Sequence, residues 1–231
     1  RDNWPKGAVA VLGAAGADIV SSGDKAADDA MRQKFLAAYD AKHQVTKEGD
    51  NKAVVIIGSE EFPFPIPLVK TKSAWEFDTD AGRLEILYRR IGRNELDTIQ
   101  TSLAFVDAQN EYAEKDRGQG AGVYAQRIVS TSGKKDGLYW PGDDSPLGDL
   151  AAQASAEGYK VGQGPIPYHG YYYRILTQQG SNAPGGELDY VVKGKMIGGF
   201  ALLAWPAEYG NSGVMTFLVN HSGVVYQKDL G

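Results

Sequence analysis

The sequence predicts an α+β protein, with N-terminal helices and a small antiparallel sheet, then a long central helix packed on a C-terminal antiparallel meander. Three observations carry this. The stretch from about Arg83 to Asp116 is the longest with helical character. Ahead of it, a helical segment gives way to short β-branched runs. Beyond Tyr168, apolar runs are separated by Gly, Asn, Pro or Ser, as strands of a meander are.

In chain order, the opening up to Asp24 reads as a helix tail followed by a turn. Lys25–His43 predicts a helix, with Ala30, Lys34, Ala37, Ala38 and Ala41 on one side and Asp24 as its cap. Lys52–Gly58 is a β-branched run. Phe62–Val69 carries three alternating prolines, which cannot donate to a ladder, so it predicts an edge strand or extended segment. Ser73–Asp78 alternates as a half-buried strand should, and Asp80 is placed to cap the helix that follows.

The central helix itself shows an apolar stripe at Leu96, Ile99, Leu103, Val106 and Ala113, interrupted only by Asn110. Gly92 predicts a hinge, with Asn94 as a fresh N-cap and Asp97 in an acidic first turn. Two sub-domains follow: residues 1–92, α+β, and residues 93–231, helix plus sheet. The stripe is expected to be core, which would make Leu103→Ala cost about 2–5 kcal/mol. The Gly- and Asp-rich segment Asp116–Ser155 predicts a long loop with a helical turn at Val123–Val129 and a short helix near Leu147–Glu157. Five strand-like runs complete the chain: Tyr171–Thr177, Leu188–Lys193, Gly198–Trp205, Val214–Asn220 and Val224–Lys228. The last two are joined by a hairpin turn at Asn220–Gly223.

Composition excludes several classes of function. The net charge of −5 gives no basic face for nucleic acid, and the one basic cluster, Arg89–Arg93, reads as a solvated helix face. No apolar run approaches the ~20 residues of a membrane helix. With no cysteine, thiol catalysis and thiolate metal sites are excluded. The chain starts at Arg1 without methionine, which reads as a processed or trimmed form.

Catalytic signatures are missing. Gly118–Gly122 follows a helix rather than a strand, so it reads as a loop and not a dinucleotide site. Two Ser-x-x-Lys matches, at Ser22 and Ser132, lack their companion motifs. Asp78 and Asp80 start like a calcium loop, but Arg89 stands where a glutamate is needed. No metal site and no cofactor are predicted. Of the three histidines, His43 suits a helix C-terminus, His221 sits in a turn, and His169 lies among Tyr168, Tyr171, Tyr172 and Tyr173. The simpler reading of His169 is a strand entry hydrogen-bonded into the core. The functional reading is a groove in which Tyr168, His169, Tyr172, Trp140 and Trp205 face a sugar, peptide or aromatic ligand. Strand alternation should send Tyr171 and Tyr173 to one face and Tyr172 to the other, with Tyr172 and Trp140 expected on one side. Asp136, Asp143, Asp144 and Glu208 are candidate acid–base or cation partners.

Several long stretches together resemble a bacterial family known as domain of unknown function 2950. They include IVSSGD at Ile19–Asp24, KFLAAYDAKH at Lys34–His43, RRIGRNEL at Arg89–Leu96, DGLYWP at Asp136–Pro141, PYHGYYYRILTQQG at Pro167–Gly180 and GGFALLAWPAEYG at Gly198–Gly210. The resemblance implies an exported protein, hence a periplasmic or extracellular place, and carries no catalytic residues. Asn94–Gly231 also resembles the globular head of type IV pilin-like proteins, but lacks the apolar N-terminal half-helix by which those polymerise. The leading expectation is therefore a non-catalytic envelope module that binds an envelope protein or cell-wall component. The competing classes are a hydrolase using His169 with a carboxylate from the Asp136–Asp149 loop, and a pilin-like assembly subunit.

Overall fold

The computed structural model describes residues 4–72, 74–160 and 166–231. Helices α1 (Trp4–Leu12) and α2 (Ala17–Val20) lead into α3 (Lys25–Ala41), whose first turn is capped by the Asp24 carboxylate accepting from Ala27 N at 3.1 Å. Five strands follow: β1 (His43–Lys47), β2 (Lys52–Ile57), β3 (Phe62–Pro63), β4 (Leu68–Lys70) and β5 (Trp75–Phe77). They form an antiparallel sheet in the order β1-β2-β4-β5, with β3 also on β2. The alternating prolines do restrict pairing here, leaving β3 and β4 only two and three residues long. His43 opens β1 instead of closing the helix, although its ring stacks on Tyr39 at 3.9 Å. Ser73, the expected start of β5, lies outside the described residues.

Helix α4 (Thr79–Glu114) runs unbroken for 36 residues, about 54 Å of rise. The expected hinge at Gly92 is absent, and the boundary expected between residues 92 and 93 falls inside this helix. Asn94 is no cap; it is buried, and its Nδ2 donates to Ser212 O at 2.8 Å. The N-cap is Asp78, not Asp80. A single glycine costs a helix only about 1 kcal/mol, too little to break one held at both ends by packing. At its start Gly82 lies against the backbone of Pro65 and Ile66, where a Cβ would come within 2.6 Å of Ile66 Cα. At its far end Phe105, Ala108 and Tyr112 join the main core.

The face that α4 buries overlaps the expected stripe only in part: Val106 is in the main core and Ile99 packs against Tyr171, Ala204 and Phe217, but the two leucines face outward. Leu96 is 66% exposed and Leu103 36%, whereas Thr98, Ser102, Phe105 and Gln109 are almost wholly buried. Short hydroxyl side chains permit a close approach to the sheet, and each bonds back to its own helix. Thr98 Oγ1 donates to Asn94 O at 2.7 Å and Ser102 Oγ to Thr98 O at 2.8 Å. The Gln109 amide exchanges two 2.8 Å bonds with the backbone of Ala125, as a strand neighbour would. Leu96→Ala should therefore change stability by no more than about 0.5 kcal/mol, and Leu103→Ala by well under the 2–5 kcal/mol of a buried site. Thermal melts of the two variants check this.

Between α4 and α5 (Gly148–Ala156), Val123–Val129 forms no helical turn and instead makes the isolated bridges Tyr124–Met196 and Val129–Tyr139. The C-terminal strands are β6 (Tyr171–Leu176), β7 (Gln178–Gln179), β8 (Leu188–Asp189), β9 (Val191–Val192), β10 (Lys195–Met196), β11 (Ala201–Pro206), β12 (Met215–Asn220) and β13 (Val225–Asp229). The meander contains four strands, ordered β13-β12-β11-β6, and not five. The run at Leu188–Lys193 splits into β8 and β9, which pair with β7 and β10 outside that sheet. The division occurs at Tyr190, which is fully buried and donates its N–H to Thr177 O. One face of the four-stranded sheet meets α4 in a core containing Phe105, Phe200, Leu202 and Val219. No helix of the described residues is long and apolar enough to cross a membrane.

Candidate functional site

The five aromatic and histidine residues expected to form one groove occupy three places. Tyr168 and His169 sit where the chain enters β6. His169 has φ +49°, a left-handed conformation, and is followed by Gly170 at φ +76°. A Cβ on Gly170 would come within 2.4 Å of Asn94 Nδ2, so this turn presses directly on α4. The His169 ring is sandwiched between carboxylates, with Nδ1 3.3 Å from Asp97 on α4 and Nε2 3.3 Å from Glu157 just beyond α5. The Tyr168 ring lies 4.1 Å from it and the Tyr159 ring 5.9 Å. The carboxylates within reach thus come from the two helices and not from the Asp136–Asp149 loop. In that loop, Asp136 accepts from Thr131, while Asp144 accepts from Lys135 and from Trp140 Nε1.

Each ring nitrogen thus faces a carboxylate, one from either side. Among the described residues no three His, Asp or Glu side chains converge as a metal frame. Asp97 and Glu157 face opposite edges of the ring rather than a common point.

Beneath His169 runs a buried polar chain. Its backbone N–H donates to Tyr159 Oη (3.1 Å), which donates to Asp24 Oδ2 (2.8 Å), and the same oxygen accepts from Gly170 N (2.9 Å). Asp24 is 1% exposed. Next to it, Arg90 Nη1 donates to Asp18 O and Asn211 Oδ1, each at 2.6 Å. Arg90 is therefore a tie between the N-terminal segment and the 208–213 turn, and not part of a solvated basic face. Burial holds its guanidinium below its ordinary range. Burial also pushes the phenols of Tyr159, Tyr171 and Tyr173 up, and that of Tyr168 up to about 12. A folded pKa above the unfolded value means stability is complete below pH about 10 and falls as pH rises beyond it, because only the unfolded chain then sheds phenolic protons. Alkaline unfolding monitored by tyrosinate absorbance should show these residues ionising together with loss of structure.

Tyr172 and Trp205 share the opposite, outer face of the meander. They are paired across β6 and β11, with ring centroids 5.8 Å apart and Arg174 5.8 Å over Trp205. Tyr171 and Tyr173 turn inward, as alternation requires. Farther along this outer face, Leu203, Leu218 and Tyr226 continue the apolar strip, with Leu218 and Tyr226 38% and 44% exposed. The strip ends in a groove of about 510 Å³ floored by Leu176, Ala201 and Tyr226 and edged by the amides of Gln178, Asn182 and Asn220.

Trp140 is not on the outer face. It is buried against Leu138 and Leu147 in the main core, 6.5 Å from the Tyr112 ring. Tyr112 stands fifteen residues beyond Asp97, about 22 Å along α4. Trp140 is therefore remote from His169 and not on the side of Tyr172. A burial signal was present in its neighbours Leu138 and Leu147, but their distance from β6 depends on the path of the whole loop.

These features define a class: a long helix laid across an antiparallel meander, bearing an uncovered aromatic face and a carboxylate-held histidine at the edge. A family profile matches residues 3–231, and the chain belongs to that family, described as protein of unknown function (DUF2950). No curated protein and no solved structure matches the chain.

Proposed function

We propose that this chain is an extracytoplasmic, non-catalytic binding module of the cell envelope that holds a wall polysaccharide on the outer face of its meander. The observation that carries this reading is the Tyr172–Trp205 pair, half-buried on a strand face that no helix of the described residues covers. Flat aromatic faces with Arg174 above and amides at the groove end offer stacking surface plus hydrogen-bonding groups, as sugar rings require. Its placement outside the cytoplasm rests on the likeness to usually exported proteins. The arrangement at His169 supports a structural role for that residue.

The test is co-sedimentation of the purified chain with insoluble wall polymer. Wild type should pellet with the polymer, and the Tyr172→Ala/Trp205→Ala double variant should stay in solution with a melting temperature within a few degrees of wild type. A wild type that does not pellet, or a double variant that pellets equally, overturns the reading. One observation favours the hydrolase alternative, the 3.3 Å approach of Asp97 to His169 Nδ1. Release of soluble fragments by wild type and not by His169→Gln would establish that alternative instead.

A further inference from the structure

The groove at the end of the outer strip is floored by the paired strands of the meander. Their register sets Leu176, Ala201 and Asn220 side by side in one row, with Leu218 beside Tyr226 in the next. One wall is the turn that follows β7, and Gln179 fixes its shape from inside. Its Nε2 donates to Pro184 O at 3.0 Å and to Gly186 O at 2.7 Å, while its Oε1 accepts from the buried Tyr190 Oη at 2.7 Å. Ser181 and Asn182 are thereby carried to the rim on a held turn. A groove of about 510 Å³, largely apolar with a few polar groups at its edge, has the size and make-up of a small-ligand site.

None of the described residues that line it carries a charge, although the chain has 24 basic and 29 acidic residues. A phosphate, a uronic acid or a free amino sugar would enter without a counter-charge, so the groove selects a neutral ligand. Its polar groups are mostly primary amides. Asn220 Oδ1 is taken by Ser222 N at 3.0 Å, which leaves its Nδ2 as a donor, and Gln178 and Asn182 each offer both a donor and an acceptor. An acetamido group answers this pattern, with one C=O, one N–H and a methyl for the apolar floor. A plain hydroxyl in its place would set a polar group against Leu176 and Ala201.

A peptide also carries amides, but peptides dock on sheets by adding a strand at a free edge. The floor of this groove is centred on β11 and β12, which are interior strands with paired backbones, so a peptide would find no ladder to extend. Rings find more. Tyr226 presents its ring in the groove, and the Tyr172–Trp205 pair lies on the same sheet face, four residues or about 13 Å along β6 from Leu176.

We propose that the groove is a subsite for an N-acetylhexosamine unit of a polysaccharide. The acetamido methyl rests on Leu176 and Ala201, its amide pairs with Asn182 and Gln178, and the sugar ring stacks on Tyr226. The subsite rests on the outer face holding a polysaccharide, and it names the sugar which that face selects.

The experiment titrates wild type with the chitin tetramer, its deacetylated form, the cellulose tetramer and an N-acetylated trialanine amide. It reads Kd by calorimetry and the side-chain NH2 resonances of Gln178 and Asn182 by NMR. The chitin tetramer should move both resonances saturably and bind at least about tenfold more tightly than the other three. Asn182→Asp keeps the shape at an exposed position but adds a charge, and should weaken chitin binding by at least about tenfold. The Tyr172→Ala/Trp205→Ala variant should keep the order of preference among the tetramers. Equal affinity for the chitin and cellulose tetramers, an equal response to the peptide, or undiminished binding by Asn182→Asp overturns the subsite. Where wild type still pellets with wall polymer, any of these results leaves the polysaccharide reading standing. Selective binding of the chitin tetramer by a wild type that does not pellet overturns only the polymer reading.

Discussion

Asp24→Ala should cost about 3–7 kcal/mol. The Asp24 carboxylate accepts from Ala27 N, Tyr159 Oη and Gly170 N, and it is almost wholly buried. Its loss leaves two buried donors unpaired, at about 1–3 kcal/mol each, and removes a helix cap, at about 1 kcal/mol. In a chain of this length each kcal/mol moves the melting temperature by about 2–4 °C, so a fall of roughly 6–28 °C is expected. Tyr159→Phe deletes one hydroxyl of the same chain and should cost only about 1–2 kcal/mol. Equal losses in the two variants would show that Asp24 is not the hub of this network.

Phe200→Ala should cost about 3–5 kcal/mol. Phe200 is fully buried and meets Phe105 from α4 at 5.6 Å and Tyr124 from the long loop at 4.8 Å, both edge-on. It thus joins helix, loop and sheet, and the cavity left by its removal has three rigid walls that cannot close together. Chemical denaturation should show a lower midpoint with an unchanged m-value. A midpoint shift no larger than that of Leu96→Ala would mean that the core is not centred here.

Much of the fold was legible because local rules governed it. Asp24 caps α3 as its position predicts, the alternating prolines confine β3 and β4 to short pairings, and α5 lies inside the expected segment. Less was legible of the candidate site. Asp97 read as an acidic first-turn residue of a separate helix, and only the unbroken α4 carries it to His169. Glu157 had no signal at all, since it acts through a partner distant in sequence.

By itself the sequence determined the α+β class, the presence of a long helix before a meander, and the alternation that separates Tyr172 from Tyr171 and Tyr173. Those follow from periodicity, capping and turn chemistry, which act within a few residues. The tertiary structure decided which face of α4 is buried. Thr98, Ser102 and Gln109 look polar in sequence, but their hydrogen bonds are met within the fold, so short side chains at close approach outweigh Leu96 and Leu103. It also decided that Trp140, His169 and Trp205 lie apart. Aromatic residues are drawn equally to a core and to a ligand surface, and the path of the chain between them determines which of the two each one meets.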